Sequence, residues 1–386
     1  MIPLSIPNLK GNELNYVTKA LKEGWVSTGG DFIKRFETDF ANYLKVDQSV
    51  ACQSGTAGLH LALLLSGVKS SHEVIVPSLT FIAAVNPVKY LGAEPVFMDC
   101  DDSLTIDVKK LEIFFQKECW ITDNGLINKK TNKLIKTIVV VHVFGNMANM
   151  EKIMEIAKKY KLKVIEDATE ALGTYYTSGK FKGRFAGTIG DFGVYSFNGN
   201  KIITTGGGGM LVAKDKEIVE KAKYLSTQAK DDPLYYVHND IGYNYRMTNI
   251  QAAMGVAQLE QLENFIHIKK INYQTYQENI KRIKGLSLLD FKAGTRPNYW
   301  FYSLVIDKKA YGIDRDQLLV KLAENGIQTR PIWGLIHEQK PYVNNQAYAI
   351  EKAKKYVQFI LNIPCSSSLR RVEVLKVTDV LGKLES

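Results

Sequence analysis

Cysteine is scarce in this chain: four residues, Cys52, Cys100, Cys119 and Cys365, in a total of 386. They lie far apart, with no Cys-x-x-Cys pair and no nearby histidine spacing that would build a zinc site. A disulfide framework is excluded, no bound metal is expected, and a reducing, cytoplasmic compartment is the expectation that follows. Long hydrophobic runs are also missing. The most apolar stretch, "LHLALLLSGV", falls well short of the roughly 18 residues that cross a bilayer, so no membrane association is expected. The opening residues "MIPLSIPNLKGNELNY" are interrupted by Pro3, Pro7 and Asn8 and do not read as a secretion signal. Internal repeats, low-complexity tracts and the usual nucleic-acid recognition modules are absent too.

What remains has the make-up of an ordinary globular protein, 45% hydrophobic and 23% charged, long enough for two domains. The formal charge of +10 permits anionic partners without choosing among them. Stretches such as "EKIMEIAKKYKLK" and "EKAKKYVQF" spread their lysines over solvated helix faces. Nucleic acid is therefore not an expected partner. A phosphorylated small molecule is served as well by a few local cations.

The first two-thirds alternates short β-rich runs with helical stretches. "QSVAC", "HEVIVP", "EPVFMD", "KTIVVVHVFG", "LKVIED", "GVYSF" and "GMLVA" are the seven strand candidates. Several are continuously apolar, as strands covered on both faces of a mostly parallel sheet must be. "GTAGLHLALLLSG", "FIAAVNPVKYLG" and "NMEKIMEIAKKYK" read as helices between them. From about Thr248 a long helical stretch connects to a smaller α+β region with the strand candidate "WFYSLVI" and the helix candidate "DRDQLLVKLAENG". The division expected is a large α/β domain over 1–250 and a connecting helix with a small domain over 251–386.

Open parallel sheets carry ligands at the C-terminal ends of their strands. Those ends read "SGTAG", "PSLTF", "HVFGN", "EDATEALG" and "SFNGNK". The last runs on into "IITTGGGGM", where Lys201 stands before four glycines. A phosphate loop has its glycines before the lysine and a helix after it. Here the order is reversed and a strand follows, so that reading fails. The chemical use left for Lys201 is as an amine that forms a Schiff base with a carbonyl cofactor. A pyridoxal phosphate site also needs a carboxylate against the pyridine nitrogen. Asp167 at the end of "KVIED" suits that role, or else caps the helix that follows. Ser54, Gly55 and Thr56 open an apolar helix and suit a phosphate, or serve as a plain cap. Ser196 is a further donor near Lys201, and Phe81 suits one face of a flat ring or the core.

Nearly end to end, the chain resembles the sugar aminotransferases of the DegT/DnrJ/EryC1/StrS family. The segments that carry the resemblance are "GWVSTGGDFIKRFE", "CQSGTAGLHLAL", "VIVPSLTFIAAVNPVKYLGAEPVFMD", "VIEDATEALG", "GDFGVYSFNGNKIITTGGGGM", "GYNYRMTNIQAAMG" and "GIQTRPIW". The resemblance implies an α/β fold of the type I, aspartate-aminotransferase-like class, with a seven-stranded sheet and a small C-terminal domain. It implies pyridoxal 5'-phosphate as cofactor, with a pyridoxamine 5'-phosphate form during turnover. Lys201 would be the Schiff-base lysine, Asp167 the partner of the pyridine nitrogen and Phe81 the stacking aromatic. Ser54, Gly55, Thr56 and Ser196 would hold the phosphate. Asn244 would reach the neighbouring subunit's site, making an obligate homodimer with composite active sites. Trp25, Thr28, Arg246, Arg330 and His337 fall in segments that line the sugar pocket.

Two departures from the family pattern are informative. Glu170 stands where Gln or His commonly contacts the cofactor's ring hydroxyl; members acting on 4-keto-6-deoxy sugars, such as the perosamine synthases, often carry glutamate there. Gly207 replaces the glutamate of "TTGEGG", a change associated with 4-amino sugars of the legionaminic acid and bacillosamine type. The expected reaction moves an amino group from L-glutamate to C4 of a nucleotide-linked 4-keto-6-deoxy sugar, with UDP-2-acetamido-2,6-dideoxy-4-hexulose preferred. GDP-perosamine synthesis and dTDP-sugar 3- or 4-amination are the alternatives within the family. A pyridoxamine-dependent dehydratase would carry histidine in place of Lys201. A non-catalytic regulatory protein on the same fold is the remaining rival.

Overall fold

A strand with no polar face needs cover on both sides, and the central sheet is built from such strands. In the computed structural model, which describes residues 1–123 and 125–385, seven strands follow in chain order. They are β1 (Val50–Cys52), β2 (His72–Pro77), β3 (Glu94–Met98), β4 (Leu134–Val141), β5 (Lys163–Asp167), β6 (Phe192–Ser196) and β7 (Gly209–Ala213). Their spatial order is β1-β7-β6-β5-β4-β2-β3. Only β7 is reversed: it pairs antiparallel with β1 and β6, while β6, β5, β4, β2 and β3 run parallel to one another. A hairpin (Cys119–Thr122 with Gly125–Asn128) on β4 and a two-residue strand (Ala347–Tyr348) on β3 extend this run to ten strands.

The reversal of β7 decides where the glycine run goes. Because β7 starts where β6 ends, the loop 197–208 that carries Lys201 stays at the ligand-bearing rim. Its base is closed by hydrogen bonds from Phe197 N to Gly208 O (3.0 Å) and from Thr205 N to Phe197 O (2.9 Å). Gly209 then passes so close to the start of the next helix that an added Cβ would stand 2.5 Å from the Ser54 carbonyl carbon. Only glycine permits that approach. Gly207, by contrast, has open space, with Gln251 Nε2 3.7 Å from an added Cβ.

Helix α1 (Gly55–Leu65) follows β1 and is buried on nearly every side. Helix α2 (Met150–Tyr160) places Met150, Ile153, Ile156, Ala157 and Tyr160 on the sheet and its lysines outward, the amphipathic division its spacing predicts. The long connecting helix α3 (Asn249–Ile280) opens with a capping box between Thr248 and Gln251. At 32 residues it is about 48 Å long, enough to link the large sheet to a second, smaller one. This four-stranded antiparallel sheet holds β8 (Leu286–Leu288), β9 (Tyr302–Ile306), β10 (Arg330–Pro331) and β11 (Ile360–Ile363) in the order β8-β9-β11-β10. The strand expected over "WFYSLVI" begins only at Tyr302, leaving Trp300 and Phe301 in the loop before it.

Two ties hold the halves together. Asp99, a fully buried carboxylate just past β3, accepts hydrogen bonds from the amides of Glu351, Lys352 and Ala353 and from Lys110 Nζ (2.7 Å). It thus supplies the cap for a C-terminal helix (Lys352–Phe359) whose own preceding residue, Glu351, makes no capping bond. The chain's first residues cross the other way: Ile2 pairs with Ile327, and Cys365 N donates to Leu4 O (2.8 Å). All four cysteines are buried free thiols. Among the described residues no helix is long and apolar enough to cross a membrane, and no group of three or more His, Cys, Asp or Glu side chains is placed to hold a metal ion.

Candidate active site

The strand ends, the lysine loop and segments around the four-stranded sheet enclose a cavity of about 460 Å³. Of the residues singled out in the sequence, Ser54, Gly55, Thr56, Phe81, Asp167, Glu170, Ser196, Lys201 and Arg330 all line it. They come from five separate segments: the large sheet's topology brings four of them to one rim, and Arg330 reaches the cavity from the four-stranded antiparallel sheet.

Ser54 caps α1 by accepting from Ala57 N (3.1 Å), so the next amides, of Gly55 and Thr56, open the helix toward the cavity rim. A Cβ on Gly55 would come within 3.0 Å of both Ser196 Cβ and Thr169 Cγ2. The glycine is therefore what keeps a small, donor-rich hollow at this helix N-terminus, where the helix dipole favours an anion. Phe81 is half exposed and stands at the cavity wall with its ring 6.5 Å from that of Trp333. It lines the cavity rather than the core.

Lys201 Nζ lies 3.7 Å from Glu170 Oε1, in ion-pair range but beyond hydrogen-bond length, with its side chain 11% exposed. The second oxygen of Glu170 accepts from Phe144 N (2.8 Å). Burial, opposed by the charge of Lys201 and by that amide, pushes the Glu170 carboxyl up to about 7. Asp167 is buried at the end of β5, and one oxygen accepts from Thr169 N (3.0 Å). Burial raises its pKa above the ordinary aspartate value, with the Thr169 bonds and Lys201 acting in the opposite direction. The helix expected after Asp167 is absent: residues 168–174 form turns, and Asp167 caps the first of them, which occupies only part of its acceptor capacity.

Sequence reasoning passed over the aromatic wall. Trp300, Phe301, Phe144 and Trp333 line the cavity too, with ring centroids 4.2 Å apart for Trp300–Phe301 and 4.6 Å for Phe144–Trp333. Phe144 holds its position at a left-handed φ of 55°, uncommon for a non-glycine residue. Consecutive aromatics in "WFYSLVI" gave the only hint, and they were read as a strand.

Other expected residues lie elsewhere. His337 accepts or donates a 2.6 Å hydrogen bond at Ser78 Oγ and packs near Phe97, outside the cavity wall. Trp25 is exposed, its carbonyl held by Asn249 Nδ2 (2.6 Å), and neither it nor Thr28 lines the cavity. Asn244 and Arg246 sit beside the end of β1, where Arg246 Nε meets Asn244 Oδ1 (3.4 Å) and Arg246 Nη2 meets Gln228 Oε1 (3.2 Å). They too lie outside this chain's own cavity wall.

A group with an anionic phosphate, a flat ring bearing a basic nitrogen and an aldehyde makes three demands. The residues present meet them: a hollow at a helix N-terminus kept open by Gly55, a buried carboxylate with spare acceptor capacity at Asp167, and a nearly buried amine at Lys201. The chemistry of the donors fits pyridoxal phosphate.

Residues 7–382 match the DegT/DnrJ/EryC1/StrS aminotransferase family. The chain is 36% identical over 386 residues to the GDP-perosamine synthase of Escherichia coli O157:H7, covering 100% of this chain and 99% of that one. It is 34% identical over 385 residues to the putative pyridoxal phosphate-dependent aminotransferase EpsN of Bacillus subtilis (strain 168), covering 98% and 95%. Its fold superposes on the aminotransferase TlmJ of Streptoalloteichus hindustanus with a TM-score of 0.88 and 27% identity, covering 100% and 98%. Together with the lysine, the carboxylate and the anion hollow in one cavity, these likenesses lead to a single conclusion: the chain belongs to the DegT/DnrJ/EryC1/StrS aminotransferase family and is a pyridoxal-phosphate-dependent sugar aminotransferase.

Proposed function

We propose that the enzyme moves an amino group from L-glutamate to C4 of a nucleotide-linked 4-keto-6-deoxy sugar, UDP-2-acetamido-2,6-dideoxy-4-hexulose, for surface glycan biosynthesis. The observation that carries the reading is Lys201, nearly buried and 3.7 Å from Glu170, in the same cavity as the buried Asp167. Pyridoxal phosphate, when bound, supplies an electron-accepting ring that delocalises the charge left by a departing α-proton. The protein's part is positional and acid–base. Asp167 keeps the pyridine nitrogen protonated. Ser54, Gly55, Thr56 and Ser196 hold the phosphate, and Phe81 packs on the ring. Lys201 Nζ carries the proton to and from the reacting carbon, a service typically worth about 10²–10⁴-fold. Glu170, with a carboxyl that titrates near neutrality, takes or returns a proton beside that amine.

The working form is proposed to be a homodimer with composite sites. Asn244 lies away from its own chain's cavity, and the nearby arm exposes Leu234, Tyr235, Tyr236 and Ile241, each more than 70% accessible. An exposed apolar run of that kind calls for a cover. Asn244 would then complete the neighbouring subunit's phosphate site.

The preference for a UDP-linked 2-acetamido sugar rests on Gly207. The 36% likeness to a GDP-perosamine synthase, together with Glu170, favours a second reading, a GDP-linked 4-keto-6-deoxyhexose. Glutamate-dependent amination of a panel of UDP-, GDP- and dTDP-linked keto sugars separates the two. The UDP-acetamido substrate is expected to give the highest kcat/KM; a GDP-linked sugar used better by tenfold replaces the first reading with the second. Turnover by Lys201→Ala at a near wild-type rate would remove the lysine from its role altogether.

A further inference from the structure

Trp300 packs its ring on the Lys201 amine. Its ring centroid lies 4.4 Å from Lys201 Nζ, within cation–π range. Its indole N–H donates to Asn200 O (2.8 Å), the carbonyl of the peptide that leads into Lys201. One residue thus grips the lysine at both ends, at its charged tip and at its backbone. Trp300 is 2% exposed, so the cation–π contact is formed away from water, where it is strongest.

Trp300 is itself held from behind. Its amide donates to Asn298 Oδ1 (3.0 Å), and Asn298 Nδ2 in turn donates to Glu170 O (2.9 Å) and Leu172 O (3.0 Å). Its carbonyl accepts from Lys269 Nζ (3.1 Å) on α3. Lys269 is 3% exposed and has no carboxylate partner among the described residues. Its ammonium is spent instead on the carbonyls of Trp300 and Cys365 and lies 5.5 Å from the Tyr302 ring centroid. Burial lowers its pKa from the ordinary lysine value. Placing such a group in the interior is costly, and what it secures is the loop that presents Trp300 to Lys201.

We propose that Trp300 is a positioning residue for the transamination step, giving the Lys201 amine a fixed resting place whenever it is free of the cofactor, and that Lys269 acts through Trp300 by locking its backbone. This rests on Lys201 being the reactive amine. Among the described residues, the carboxylate in ion-pair range of that amine is Glu170, at 3.7 Å. Without the ring the freed amine would swing toward the carboxylate and leave the line along which it must exchange a proton. A misplacement on the scale of 1 Å can cost about 10²-fold. Because the sugar and the glutamate need not touch Trp300 for this, the effect falls on kcat rather than KM.

The test compares Trp300→Phe, which keeps a π face, with Trp300→Met and Trp300→Leu, which fill space without one, and adds Lys269→Met. Rapid mixing of each holoenzyme with L-glutamate reads the half-reaction from the visible band of the lysine-bound cofactor. Borohydride trapping followed by peptide mass mapping reads how fast added pyridoxal phosphate becomes attached to Lys201 in the stripped protein. The expected result is a fall of about 10²-fold in the half-reaction for Met and Leu and about tenfold for Lys269→Met. Trp300→Phe should stay within about fivefold of wild type, trapping should slow in the same order, and KM should change less than threefold. Equal rates for Phe and Met, or rates within threefold of wild type for all four, overturn the proposal. If Trp300→Leu does not fold, the Phe and Met pair decides the matter. Trapping on a lysine other than Lys201 in the wild type would instead sink the assignment beneath it.

Discussion

Glu166 and Asp167 are consecutive residues of one strand, both buried, and they point to opposite faces of the sheet. Glu166 accepts from His142 Nε2 (2.9 Å) and from the amides of Gly187 (2.9 Å), Ile189 (2.6 Å) and Gly190. Burial disfavours its charge, but the His142 bond and the glycine amides more than offset that, and its pKa lies below the ordinary glutamate value. Asp167, on the cavity face, has Thr169 and little else, and its pKa is raised. Equal burial with unequal satisfaction separates a structural carboxylate from a chemical one. Glu166 pins the loop 187–190 to the sheet, whereas Asp167 keeps acceptor capacity free at the cavity wall, as the role proposed for it requires.

Swapping the character of the two carboxylates is the sharpest way to break this contrast. Asp167→Ala should lower kcat by about 10³-fold, in the range of a lost acid–base or charge-stabilising group, with the melting temperature of the stripped protein unchanged or higher. A loss of stability with kcat retained would reverse the roles. Glu166→Ala should do the opposite. It strands His142 and three amides, and removing one side of such a buried network typically costs about 3–5 kcal/mol, readable by urea unfolding.

A third carboxylate tests the same idea through pH. Glu170 ordinarily titrates at 4.5 and is raised to about 7 in the fold. A raised acid contributes its stability fully below the ordinary value and loses it as pH climbs through the folded one. The stripped wild-type protein should therefore weaken between pH 4.5 and pH 7 relative to Glu170→Gln. By pH 8 the variant should be more stable, on the order of 3 kcal/mol at 1.36 kcal/mol per pH unit. Parallel stability curves across that window would show that Glu170 is already ionised. The smallest effect belongs to Gly207→Glu, which restores the commoner family letter. The position has room and no left-handed backbone, so stability should move by less than about 0.5 kcal/mol, and any change should show in the ratio of kcat/KM between UDP- and GDP-linked sugars.

Asp167, Lys201 and the Ser54 turn were legible in the sequence because strand ends and helix starts are local patterns, and the parallel topology does the rest. The seven strands were legible for the same reason, a continuous apolar run such as 138–141, although "KTIVVVHVFG" overruns its strand, which ends at Val141 before a separate turn at Val143–Gly145. Glu166 was not singled out, since nothing in "KVIED" tells which carboxylate meets three amides some twenty residues downstream. Trp300 was missed on similar grounds. Its partner Lys201 is 99 positions away, and its backbone anchor Lys269 sits on a helix whose spacing reads as an ordinary mixed face. His337 lies in a segment that matches the family pattern, yet its ring turns to Ser78, a contact that spacing cannot give.

The Asp99 cap and the Leu4–Cys365 pairing have a consequence for how the enzyme is made. Residues from the far end of the chain complete the third strand's neighbourhood and fix the carbonyl that Lys269 holds. A polypeptide still leaving the ribosome can shape the lysine loop but cannot yet brace it. Capture of the cofactor should therefore wait until residues 347–365 have taken their places.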